Sequence, residues 1–140
     1  MGYTHYWAQQ RAYTVAEWNQ ISATIQAIIA ESSVPVTRER DRPNDAPCFD
    51  ENNILFNGVG DDGHETFSFT REIAPEPDYR KGEGDFQFCK TASKPYDEIV
   101  VACLIAAAEM GVITWSSAGD DSEHRDGREL FETVTGNRAD

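Results

Sequence analysis

Residues 86–117, FQFCKTASKPYDEIVVACLIAAAEMGVITWSS, read as strand, helix and strand in turn. The alternating aromatics of FQFCK mark a strand that ends near Lys90. Pro95 then favours a helix start. Ile99, Val100, Val101, Cys103, Leu104 and Ile105 make that helix apolar on most faces, as expected of one buried at the centre of a domain. Gly111 ends it at the C′ position, and VITWSS returns as a strand. Strand–helix–strand units in one sheet are almost always parallel crossovers. The carboxyl ends of the strands bearing Cys89 and Trp115 are therefore expected side by side, with Lys90 to Lys94 and Ser116 to Gly119 lining one pocket.

Working outward, GYTHYW alternates and is aromatic, so Tyr3 to Trp7 reads as a first strand. Thr14 and Glu17 form a T-x-x-E capping box ahead of an apolar stripe, Val15, Trp18, Ile21, Ile25, Ile28 and Ile29, which ends near Ser32. Residues 34–50, rich in proline and alternating charge, read as a surface loop whose arginines Arg38, Arg40 and Arg42 are matched by Glu39, Asp41 and Asp45. NILFNGVG and ETFSFTREI read as a hairpin around GVGDDGH. Residues 74–85 form a loop, and SEHRDGRELFETV a last helix weakened by Gly127. The order β-α-β-β-β-α-β-α predicts an α+β fold: a mixed, mainly antiparallel sheet of about five strands with two or three helices packed on it. If the middle strands form a meander, strands one, two, four and five all run the same way, and their carboxyl ends share one edge.

The 140 residues fit a single globular domain spanning 1–140, large enough for a core without disulfides or metal. The longest apolar run is broken by Glu109 and Gly111 and is too short for a bilayer, and the amino terminus has neither a basic start nor an apolar signal core. A cytoplasmic protein is expected. Three cysteines without a CxxC pair suit reduced thiols, and Cys89, though beside Lys90, lacks a paired base. A net charge of -13 repels nucleic acid polymers but leaves room for a small anion in a local pocket.

Three constellations could carry chemistry. Lys90 and Lys94 are two of the chain's three lysines, and with Thr91 and Ser93 they surround a helix start whose dipole and free N–H groups attract phosphate or carboxylate. The competing reading is a solvated cap, since Asp97 and Glu98 already complement that dipole. FNGVGDDGHETF crowds Asn57, Asp61, Asp62, His64 and Glu65 into nine positions; these could bond ligand hydroxyls or merely satisfy a tight turn. EF-hand spacing is absent, and His5, His64 and His124 could meet only through folding. Tyr6, Trp7 and Tyr96 could cover a flat ring, against the default of core packing, and Ser116 and Ser117 adjoin them at the proposed edge.

MGYTHYW, FNGVGDDGHETF, FQFCKTASKPYDEIVVACLIAA and SSAGD together resemble a family of small uncharacterised proteins of bacteriophages and bacterial genomes, with an N-terminal GYTHYW, an FNG-G-D-GHE-F segment and an FCKT-KPYD segment. The resemblance touches both ends and the middle of the chain. It implies a phage or bacterial setting, in the host cytoplasm, and brings no activity with it.

The function expected from the sequence is binding of a nucleotide-like or other anionic metabolite, with sequestration of a host immune signal as its use in a phage. Lys90, Thr91, Ser93 and Lys94 would hold the anion, and Asn57, Asp61 and Asp62 its hydroxyls or amines. Two alternatives stand beside it. One is a metal-assisted hydrolase or nucleotide-modifying enzyme using His64; the other is an acidic inhibitor that binds a host protein. A second copy of the chain is also an allowed partner. No motif calls for a cofactor or a resident metal, and no catalytic residue is assigned.

Overall fold

A computed structural model describes residues 4–72, 85–117 and 124–136. Ten elements follow in order: β1 (Thr4–Gln9), α1 (Val15–Glu31), β2 (Val36–Thr37), β3 (Cys48–Phe49), β4 (Asn53–Gly58), β5 (Phe67–Thr70), β6 (Asp85–Lys90), α2 (Asp97–Glu109), β7 (Ile113–Ser117) and α3 (Arg125–Thr135). The fold is α+β, as the element pattern predicts. Its strands divide between two antiparallel groups instead of one mixed sheet, one ordered β6-β1-β7 and the other built on β4, which pairs with β2, β3 and β5.

The local signals hold. Thr14 accepts from Glu17 N and the Glu17 side chain accepts from Thr14 N, so the capping box forms, and α1 buries Trp18, Ile21, Ile25 and Ile28. Helix α2 is buried throughout Ile99 to Ala107 and ends where Gly111 takes a φ of 77°. It starts at Asp97, so Pro95 precedes the helix and does not lie in its first turn. The charged 34–50 segment contains two short strands absent from the sequence reading. Its exposed Arg42 pairs with exposed Glu39 at 3.6 Å and with half-buried Asp45 at 3.8 Å, in keeping with a locally neutral, solvated face.

Strand direction differs from the expectation. Strand β1 runs antiparallel to both β6 and β7, with His5 opposite Cys89 on one side and Ser117 on the other. Strands β6 and β7 do run the same way, but β1 lies between them and they form opposite edges of this sheet. Two interstrand spacings, roughly 10 Å, separate their carboxyl ends. The expected pocket between adjacent strand ends is therefore not formed, and residues 118 and 119, its other proposed wall, lie outside the described residues. The carboxyl end of β1, with Trp7 behind it, points away from that edge; Thr4 and His5 take its place.

Period-two alternation gives the sheet two faces. His5, Trp7, Cys89 and Ile113 are buried on the helix side. An aromatic chain in which Trp7 meets Phe67 and Phe69, and Phe69 meets Tyr13 and Trp18, joins the two sheets to α1. Among the described residues no helix is long and apolar enough to cross a membrane.

Candidate functional site

At the edge where β6 and β7 end, the helix side of the sheet carries a polar cluster. His5 is fully buried, and its Nε2 lies 2.5 Å from Asp97 Oδ1. The same oxygen accepts from Thr91 Oγ1 at 2.5 Å. With Asp97 as a carboxylate, which can only accept, the bond is made by the ring form that carries a proton on Nε2. The His124 ring, at the start of α3, stands 6.1 Å from His5 and 5.2 Å from Trp115. Two imidazoles from opposite ends of the chain, an indole and a carboxylate thus meet where the amino termini of α2 and α3 converge.

This cluster changes the reading of KTASKP. The anion drawn to the start of α2 is Asp97 itself, and Thr91, buried, is spent on it. Lys94 N donates to Thr91 O across a tight turn in which Ala92 and Ser93 have φ of 52° and 58°. Two neighbouring non-glycine residues in the left-handed region cost roughly 1–2 kcal/mol each, so the turn is held by its surroundings. Lys90 does not join the cluster: the alternation sends it to the opposite face of the sheet, exposed, while Ser93 is exposed and Lys94 half-buried.

Glu98, next in the first turn of α2, has its carboxyl pushed above the usual range by burial, then by Asp126 and Asp97. Burial pushes the Cys89 thiol up to about 12, with Glu65 adding to the rise. Buried, and donating through Sγ to Glu65 O, Cys89 is poorly suited to act as a thiolate beside Lys90.

The FNGVGDDGHETF segment is mainly turn chemistry. Asn57 is buried; its Oδ1 accepts from Gly58 N and His64 N, and its Nδ2 donates to His64 O and Thr66 Oγ1. It is fully occupied in closing the turn, which corrects its assignment to a ligand. Asp61 and Asp62 lie exposed on a 3₁₀ turn, and His64 is exposed. Glu65 reaches back to β6: its Oε1 accepts from Lys90 N, and its carbonyl accepts from Tyr96 Oη at 2.5 Å. Tyr96 is fully buried and Trp7 2% exposed, so neither can cover a ligand ring. Among the described residues, no group of three or more histidines, cysteines or acids is placed to hold a metal ion.

The outer face of β6-β1-β7 is the other feature. Phe88 stands opposite Tyr6, and Tyr6 opposite Ser116, in one row across the sheet. One step along, Lys90 stands opposite Thr4. Phe88 is 50% exposed, and a shallow depression of about 200 Å³ lies between β1 and β7, lined by Tyr6, Trp7, Ala8, Thr114, Trp115 and Ser116. Of the sequence-selected residues, this face gathers Tyr6, Lys90 and Ser116; Thr91, Tyr96 and Ser117 fall on the helix side or its edge, and Asn57, Asp61, Asp62 and His64 stay with the β4–β5 turn. His5 and His124 do meet through folding, without His64, whereas Asp97 reads in the sequence only as a dipole complement and Phe88 only as a strand residue. No family model matches the chain, and no curated protein or solved structure matches it. The fold and site therefore define it only as an α+β protein with a buried His–Asp–Thr cluster behind an aromatic sheet face.

Proposed function

We propose that the protein acts by binding, and that it presents the aromatic outer face of β6-β1-β7 to a protein partner with a basic surface. The observation that carries this reading is Phe88, half exposed and aligned with Tyr6 on a sheet face where a soluble fold gains nothing from it. The depression between β1 and β7 is smaller than the roughly 300–1,000 Å³ of pockets that enclose small molecules, so a partner would cover this face and not enter it. Aromatic side chains are the usual anchors of such contacts. The charge of -13 would steer a basic partner toward the chain and discourage nucleic acid. In the phage setting that the sequence resemblance implies, the partner would be a host protein whose activity is blocked.

Lys90 favours a second reading. It shares the face with Tyr6 and Phe88, so a nucleotide-like anion could stack its ring on the aromatics and place its phosphate at the ammonium. Sequestration of a host immune signal would then be the function. An acid–base enzyme has less support: His5 is fully buried, and the Glu65 beside His64 is engaged with Lys90 N.

Capture from bacterial lysate with wild type, Phe88→Ser and Tyr6→Ala, beside equilibrium dialysis against a nucleotide panel, separates the two. The first reading expects a basic protein retained by wild type, lost with both variants and released by salt. Nucleotide retention that disappears in Phe88→Ser and Lys90→Met would replace it with the second, and retention insensitive to all three substitutions would remove both.

A further inference from the structure

Val15 is, with Phe88, one of the two large apolar side chains exposed among the described residues, at 63%. It opens α1, where the capping box already satisfies the helix end and gives Val15 no task. Beside it lies a cavity of about 390 Å³ lined by Val15, Trp18, Asn19, Glu51, Asn52 and Arg71.

The walls are firmly built. Strands β4 and β5 pair Asn53 with Thr70, and Arg71 N donates to Asn52 O just beyond that pair. Arg71 Nε donates to Tyr13 O at 3.1 Å, Tyr13 N donates to Arg71 O, and Gln9 Nε2 donates to the same carbonyl. Trp18 Nε1 is fixed by Asp50 O at 3.0 Å. The groups left over are polar and varied. Arg71 Nη1 is ion-paired with the exposed Glu72 at 3.4 Å, while Arg71 Nη2, the Asn19 and Asn52 amides and the Glu51 carboxylate make no hydrogen bond among the described residues.

We infer that this cavity, formed by Val15, Trp18, Asn19, Glu51, Asn52 and Arg71, is a second binding site, for a free apolar α-amino acid. The open side of the Arg71 guanidinium takes the carboxylate, a fork that a planar carboxylate matches. Glu51 takes the ammonium, and the apolar side chain covers Val15 against the Trp18 wall. A ligand of both charges suits a lining of one cation and one anion, its carboxylate displacing the exposed Glu72 from Arg71, and the cavity falls at the low end of small-molecule pockets.

The test is titration calorimetry of the whole chain with L-phenylalanine and L-leucine, beside L-phenylalaninamide, which lacks the carboxylate, and N-acetyl-L-phenylalanine, which lacks the ammonium and mimics a peptide carboxyl terminus. Saturable binding of the free amino acids is expected, with affinity falling about tenfold or more for either blocked form. Arg71→Gln should abolish it. Because Arg71 also braces Tyr13, Asn19→Trp provides the second variant: it fills the cavity from an exposed helix position, and should abolish binding while the melting temperature stays near wild type. Phe88→Ser should leave it intact, which separates this site from the sheet face. Absence of saturable binding at millimolar amino acid, or equal binding by wild type and Asn19→Trp, overturns the assignment; stronger binding of the N-acetyl form would reassign the site to peptide carboxyl termini.

Discussion

Gly127→Ala should destabilise the protein, although in an exposed helix the same change stabilises by about 1 kcal/mol. Gly127 is buried in the first turns of α3, where α3 crosses α2. A Cβ added there would stand 2.5 Å from both Cβ and Cγ1 of Val101 and 3.1 Å from Glu98 O. Neither neighbour can swing aside: Val101 Cβ is fixed to the α2 backbone, and Glu98 O is backbone. The helices must separate by about 1 Å, and overpacking of this kind costs roughly 1–3 kcal/mol. With the upper end expected here and the propensity gain subtracted, the net loss is about 2 kcal/mol. Urea unfolding reads this directly, and the melting temperature should fall by about 6–8 °C for a chain of this size. Because His124 lies one turn before Gly127, the near-ultraviolet signal of Trp115, 5.2 Å from the His124 ring, should change as well. A Gly127→Ala protein that is more stable than wild type would refute the close α2–α3 contact and the convergence it enforces at His5.

Asp97→Asn should cost about 2–4 kcal/mol in urea unfolding, since both the His5 and Thr91 donors lose a charged acceptor away from bulk water; Thr91→Val should cost about 1 kcal/mol. Under native conditions only Cys48, half-buried, should react with a thiol reagent at pH 8, and all three thiols should react in denaturant, because Cys89 and Cys103 are buried and held protonated. A reactive Cys89 in the native protein would contradict the placement of β6, and a reactive Cys103 that of α2. The Glu17 carboxyl is held down to about 2 by Arg11, then by the Thr14 backbone N–H. Its folded pKa lies below its unfolded one, so its contribution is present above about 4.5 and lost as pH falls toward 2. Glu17→Gln should flatten that part of the stability curve, and an unchanged acid limb would count against the Arg11–Glu17 pair first and the capping box second.

Features written within a few residues of one another were legible in the sequence. Thr14, Glu17 and the Trp18–Ile21–Ile25–Ile28 stripe define α1 without help from the rest of the chain, and the apolar run with Gly111 defines α2. Strand direction was not legible, because the partner of β1 depends on contacts some eighty residues away, and a central antiparallel β1 leaves the order of elements unchanged. Strands β2 and β3, two residues each, are too short to show a period. The strand FQFCK carries aromatics on one face and Gln87 with Cys89 on the other. Apolar burial favours turning the phenylalanines inward, but Cys89 is the buried residue, opposite His5, and Phe88 is turned out. A face reversal of this kind costs nothing in local pattern, so sequence periodicity cannot detect it. Thr91 reads as an anion ligand in the sequence because its bond to Asp97 depends on the turn between them, which the sequence does not display.

Photocrosslinking at the sheet face tests the central claim most directly. A benzoylphenylalanine placed at Phe88 or Ser116, with Gln26 on the exposed side of α1 as control, would be irradiated in bacteria producing the protein. Discrete protein adducts from positions 88 and 116, absent from position 26 and displaced by unlabelled wild type but not by Phe88→Ser, are the expected result. Adducts arising equally from all three positions, or from position 26 alone, would contradict the sheet face as the binding surface.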